Sequence, residues 1–172
     1  MPELAEAEFF RKRWHLAARG RRIAAVLTHD RAKVFRGTGV PALRRALTGA
    51  RYLGSEARAK QMLFRFSGGR WLGVHLGMSG ELRVEPPGYT AQKHDHLVLA
   101  TARHALVFTD PRMFGRVLLY RGTTPPRWWT KIAPAILSEA FTPKAVAAFL
   151  RRRARSPIKA VLLMQERFPG VG

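Results

Sequence analysis

The chain has no cysteine among its 172 residues. That excludes a disulfide framework or a thiolate zinc site within it, and it suits a reducing compartment. Acidic residues are also scarce: 11 Asp and Glu stand against 31 Lys and Arg, a formal charge of +20. No apolar run approaches the ~20 residues needed to span a bilayer, and no lipidation signal is present. The first residues are too acidic and too amphipathic for a secretory leader. Internal repeats and low-complexity tracts are lacking as well. At 47% hydrophobic and 10% aromatic, the chain can nevertheless bury a real core. Its positive field concentrates polyanions, so DNA or RNA is the expected partner, with an anionic membrane surface as the competing reading. The expected setting is the cytoplasm.

Helical spacing over 4–19 predicts an opening helix, with acids at its start and Arg19 at its close, before Gly20. Short strands are expected at 22–28 and 33–36, and a short helix at 40–47 with Pro41 near its start and Gly49 beyond its end. Six β-type runs follow, at 62–66, 71–76, 81–84, 96–100, 105–108 and 117–120, spaced as in an antiparallel sandwich or barrel. The stretch GTTPPRWW at 122–129 reads as a linker. Thr142–Pro143 and Ser156–Pro157 each pair an N-cap with a first-turn proline, predicting helices at 143–153 and 157–168.

Several residues could carry chemistry. Removal of Met1 would leave Pro2 with a secondary amine. An α-amino group has a pKa near ~8, so much of it is neutral and nucleophilic near neutral pH. The alternative is that Pro2 merely starts a helix. Glu3, Glu6 and Glu8 could shuttle protons beside that amine or simply compensate the helix dipole. Met78 in HLGMSGEL, and Arg112 with Phe114 in FTDPRMFG, sit in glycine-closed turns. An apolar wedge beside an arginine is what entry into a base stack requires, although Met and Phe are more commonly core residues. KHDH at 93–96 suggests a phosphate contact or a packed turn rather than metal ligation. RRRAR at 151–155 is a solvated basic face. Lys159, in a first helical turn, suits an anion, and Lys60 reads alone as an ordinary surface lysine.

Together these motifs resemble the formamidopyrimidine-DNA glycosylase family, relatives of endonuclease VIII. PELAEAE, EARAKQMLF, HLGMSGELR, KHDHLVL, FTDPRMFG and SPIKAVLLMQERFPGVG occur in the family's order over nearly the whole chain. The resemblance implies an α+β fold: an N-terminal helix with an eight-stranded antiparallel β-sandwich, then part of a helix-two-turns-helix DNA-binding domain. The implied boundaries are 1–121 for the catalytic domain, 122–134 for a linker and 135–172 for the partial helical domain.

The activity implied is that of a bifunctional glycosylase and AP lyase of base excision repair, acting on oxidised purines in double-stranded DNA as a monomer. Pro2 would attack C1′ of a flipped nucleotide and form an imine, and Glu3 would protonate the opening sugar. Lys60 would assist at the phosphate or the lesion. Met78, Arg112 and Phe114 would fill the void, His94 and Lys159 would grip phosphates, and Glu6 would support the pocket. No cofactor is expected in this chain. A relative that binds DNA without cutting it is the alternative, and an RNA-binding factor a more distant one.

The pattern departs from the family at Ala5 and Ala7, where Pro and Val are usual, and at Met113, where a second arginine is usual. Gly172 falls where the family continues with an asparagine, a second motif helix and a zinc finger, so the chain reads as a fragment.

Overall fold

The computed structural model describes residues 4–136, 138–165, 167–169 and 171; Pro2 and Glu3 lie outside the described residues. Helix α1, Leu4–Ala18, buries Ala7, Trp14 and Ala18 on one stripe. Helix α2 is Val40–Leu47, with proline in its first turn as expected. Eight strands build two sheets: β1 Ala25–Thr28, β2 Tyr52–Arg58, β3 Gln61–Phe66, β4 Arg70–His75, β5 Glu81–Glu85, β6 Asp95–Ala100, β7 Ala105–Thr109 and β8 Arg116–Arg121. The strand orders are β1-β6-β7-β5 and β2-β3-β4-β8, each antiparallel throughout.

Strand alternation sends Met62, Phe64 and Phe66 inward from one sheet and Leu97, Leu99, Leu106 and Phe108 from the other, into one core. Helix α1 packs on this core through Trp14, which is wholly buried. Its indole N–H donates to the Arg83 carbonyl at 2.9 Å, and its ring lies 5.1 Å from that of Phe64.

Three expectations for the sandwich change. The stretch 33–36 is not a strand: Lys33–Phe35 is a 3-10 turn, because Val34 and Phe35 are both buried and alternation would turn one of them outward. The strand expected at 22–28 begins only at Ala25. Ile23 donates to Ala50 beside one sheet and Ala24 to Ala100 in the other, so the chain changes sheets there. The true additional strand is β2, whose sequence YLGSEAR carries no β signal. It is an edge strand held by its backbone ladder to β3, with a bulge between Tyr52 and Gly54.

The segment after β8 is more than a spacer. Helix α3, Arg127–Thr130, buries Trp129 against Leu63 and Trp71 on the outer face of the second sheet. Gly73 makes room there, since a Cβ would stand 2.9 Å from Cζ2 of Trp128. Helix α4, Pro143–Arg151, is capped by the Thr142 hydroxyl, which accepts from the Ala145 N–H. The last helix, expected over 157–168, is α5, Ile158–Leu162, and Ser156 does not cap it. Pro157 is still extended, and beyond Leu163 the chain turns so that Phe168 meets Phe149 and Val161 in a second small core.

Trp14→Ala should lower the unfolding free energy by about 3–5 kcal/mol, and Trp14→Phe by about 1–3 kcal/mol through the orphaned Arg83 carbonyl. Urea melts of both variants check this; a Trp14→Phe variant as stable as the wild type would show that the indole hydrogen bond contributes nothing.

Candidate nucleic-acid interface

Strand register gathers most of the expected site residues at one end of the sandwich. In the second sheet Arg58 pairs with Gln61, Gln61 with His75 and His75 with Arg116. The turn carrying Lys60, the end of β4 and the start of β8 therefore share an edge. In the first sheet Glu81 and Asp95 both pair with Thr109, which brings the connections 76–80 and 110–115 and the approach to β6 alongside. Lys60, Met78, His94, Arg112 and Phe114 all belong to these connections. Lys159 stands outside this group, exposed on α5.

The Met78 and Phe114 turns meet backbone to backbone. Gly77 has φ +70°, and a Cβ there would lie 2.5 Å from both the Gly115 nitrogen and the Phe114 carbonyl carbon. A side chain on Gly115 would fall 2.7 Å from Cζ of Phe108. Only glycines allow this approach. Met78 and Phe114 are 47% and 49% exposed, so neither is the core residue that their type would suggest. The Arg112 guanidinium lies 5.1 Å from the Phe114 ring centroid, a cation–π arrangement that aligns the two side chains. Between them Met113, at φ +53°, turns back onto the main core.

Arg36, which the sequence did not single out, braces this turn from the 3-10 segment. It donates to the carbonyls of Gly115 at 3.0 Å and Phe114 at 3.2 Å. His75 braces the other turn, its Nδ1 accepting the Gly77 N–H at 3.0 Å. That bond requires Nδ1 to be unprotonated. Burial first, then the charges of Lys60 and Arg36, hold the His75 pKa below its ordinary value. Lys60 itself is half-buried after Ala59, whose φ of +54° closes the hairpin.

The start of α1 lies beside the same hairpin. Leu4 and Ala5 border an open groove of about 710 Å³ whose other wall includes Ser55, Glu56 and Ala57 of β2. Glu6 is exposed in the first turn. Glu8, read from sequence as a possible proton shuttle, is instead gripped by Arg11 through two 2.7 Å bonds. The Arg11 bonds hold its pKa below the ordinary carboxylate value, so it stays ionised. Arg11 also donates to Ser55 Oγ at 2.9 Å, fastening α1 to β2.

In KHDH, His94 is exposed and its carbonyl accepts the Asp110 N–H at 3.1 Å. Asp95 takes bonds from Thr109, Tyr89, Arg83 and the Gln92 amide. Burial alone would raise its pKa, but those donors lower it overall. His96 Nε2 faces the Asp110 carbonyl at 2.9 Å. The packed-turn reading thus describes Asp95 and His96, and among the described residues no group of three His, Asp or Glu is arranged to hold a metal.

Known proteins share this fold. The family model of the formamidopyrimidine-DNA glycosylase N-terminal domain matches residues 1–117. Formamidopyrimidine-DNA glycosylases of Gluconobacter oxydans and Halorhodospira halophila are 40% and 37% identical over the whole chain. The chain spans 63% of the length of each. The crystal structure of the Lactococcus lactis Fpg protein with a THF-DNA and an inhibitor superposes with a TM-score of 0.86 at 29% identity, over 99% of this chain and 64% of that one. The complex of Lactococcus lactis Fpg with an abasic site containing DNA gives the same TM-score at 28% identity, over the same shares of the two chains. A family model spanning more than half of the chain, matching relatives in sequence and the same two-sheet architecture agree: the chain belongs to the formamidopyrimidine-DNA glycosylase family.

Proposed function

We propose that this chain carries the lesion-facing part of a bifunctional DNA glycosylase and AP lyase that removes oxidised purines, 8-oxoguanine and formamidopyrimidines, from double-stranded DNA. The observation that carries the reading is the pair of locked turns presenting exposed Met78, Arg112 and Phe114 at the same end of the sandwich as Lys60. Two exposed apolar side chains beside a guanidinium suit a gap in a base stack, where an apolar wedge replaces lost stacking and the cation meets acceptors. The surrounding positive charge supplies salt-dependent affinity for phosphates. Solved relatives containing damaged or abasic DNA add to this reading.

In the proposed reaction the Pro2 amine, freed of Met1, attacks C1′ of the flipped nucleotide. The bond from C1′ to the base breaks, the base leaves with the electron pair, and the proton that the Pro2 nitrogen gives up neutralises it. Glu3 delivers a proton to the sugar ring oxygen as the ring opens, and the nitrogen lone pair forms the iminium. Loss of a C2′ proton then expels the 3′ phosphate, and a second elimination expels the 5′ phosphate. Lys60, in the turn between β2 and β3, assists at the phosphate or the lesion. Glu6 supports the pocket, and His94 and Lys159 hold flanking phosphates. Each ionic grip should add about one unit to the salt slope of binding.

Borohydride should trap a covalent adduct between Met1-processed chain and duplex DNA holding an abasic site, and an acetylated N-terminus should abolish it. An undiminished adduct on the blocked chain would overturn Pro2 as nucleophile. Salt-dependent binding without preference for the lesion, and with no adduct, would favour a DNA-binding relative without catalysis.

Protonation of His75 would break its bond to Gly77 and add charge beside Lys60 and Arg36. Its folded-state pKa is lowered, as are those of His15 and His96, so the unfolded chain binds more protons below the ordinary value of 6.5. Stability should therefore be complete above about pH 6.5 and fall as the pH drops below it, by at most about 1.4 kcal/mol per pH unit per histidine. His75→Gln, which keeps an acceptor, should flatten part of that decline in urea melts between pH 7.5 and 5. An unchanged slope would contradict the assignment.

A further inference from the structure

Asp110 is completely buried, and its carboxylate reaches both wedge turns. Oδ1 accepts from the Ser79 hydroxyl at 2.7 Å, on the Met78 turn, and from the Arg112 N–H at 3.3 Å. Oδ2 accepts from the Gly115 N–H at 2.7 Å. Its own N–H donates to the His94 carbonyl, and its carbonyl accepts the Met113 N–H and faces His96 Nε2. One residue thus touches the turns of Met78, of Arg112 and Phe114, and of His94.

None of the ion pairs among the described residues includes Asp110. A buried carboxylate answered only by a hydroxyl and backbone N–H groups is an expensive way to fill a core, where an apolar residue packs at less cost. What the carboxylate provides, and an apolar residue cannot, is a directional link between two turns that are far apart in sequence. Charge-assisted bonds at 2.7 Å are the strong, geometrically demanding kind.

We propose that Asp110 is a positioning residue for void filling: it sets Met78 against Arg112 and Phe114 in one fixed relation, so that the three side chains enter a base stack as a unit. The proposal rests on the glycosylase reading above. Ordering the wedge before DNA arrives removes a cost that separate flexible turns would meet at the moment of binding. Ser79 is the far end of the clamp, and its hydroxyl is the point at which one turn senses the other.

The test uses the 172-residue chain and three variants: Ser79→Ala, Ser79→Thr, which keeps the hydroxyl, and Asp110→Asn. Two readouts are taken at a temperature where circular dichroism shows each variant folded. The first is amide hydrogen exchange on the free protein. The second is the preference for a duplex holding a tetrahydrofuran site over an intact duplex, with 2-aminopurine opposite the site to report unstacking. Ser79→Ala should speed exchange at the Arg112 and Gly115 amides, across the gap from the substitution, by about threefold or more, and should cut the lesion preference about fivefold, the scale of one hydrogen bond's net contribution. Ser79→Thr should restore both, and Asp110→Asn should exceed Ser79→Ala.

A merely structural role would weaken binding to both duplexes alike and leave the ratio and the 2-aminopurine signal unmoved. Unchanged exchange at 112 and 115 in Ser79→Ala overturns the clamp. Faster exchange with undiminished lesion preference overturns the positioning role and leaves the glycosylase reading standing. A wild-type chain that does not prefer the tetrahydrofuran duplex overturns both. If Asp110→Asn does not fold, the two Ser79 variants decide alone.

Discussion

The close approach of Gly77 to Gly115 is the constraint on which the functional end of the molecule depends. With a Cβ excluded at 2.5 Å, two connections from different sheets are pressed together until their backbones touch. Everything that follows is a consequence of how little room is left. Met78 and Phe114 flank the contact and stand exposed although both are apolar. His75, Arg36 and Asp110 then occupy the sides of the contact and bond to backbone groups that the crowding would otherwise leave unpaired.

Charge is distributed with the same economy. A chain of net charge +20 repels itself, and the cations are spread over the surface where water and salt screen them. Where positive groups converge, as Lys60 and Arg36 do near His75, the imidazole is kept neutral by burial and by those cations. The few acids are engaged rather than free at the sites that matter: Glu8 with Arg11, and Asp95 with Arg83 and three further donors. The acidic opening of the chain therefore has two parts. Glu8 is structural and anchors α1 through Arg11, whereas Glu3 is the acid proposed to act beside Pro2.

Much of this was legible in the sequence because it depends on local rules. Glycine-flanked Met78 and the FTDPRMFG turn announced themselves by turn chemistry, and the six β-type runs bounded by turn residues are strands. What escaped was set by neighbours. YLGSEAR becomes β2 only because β3 offers a ladder. KVF looks like a strand but coils so that both of its large apolar side chains reach the core. The tryptophans in GTTPPRWW look like linker residues until Gly73 provides a place for one of them. The Asp110 and Ser79 bond joins positions 31 residues apart, and no spacing rule would have paired them. Motif order pointed to the side chains proposed to meet DNA, whereas the groups that hold their turns became visible only in three dimensions.

The central claim is that the end of the sandwich bearing Lys60, Met78, Arg112 and Phe114 is the surface that meets a damaged base pair. A cocrystal structure of this chain with a duplex holding a tetrahydrofuran site tests it most directly. The account predicts that Met78, Arg112 and Phe114 fill the gap in the stack, with Lys60 beside the phosphate of the damaged strand. A duplex lying along the basic face at 151–155, with the two turns left in solvent, would contradict it.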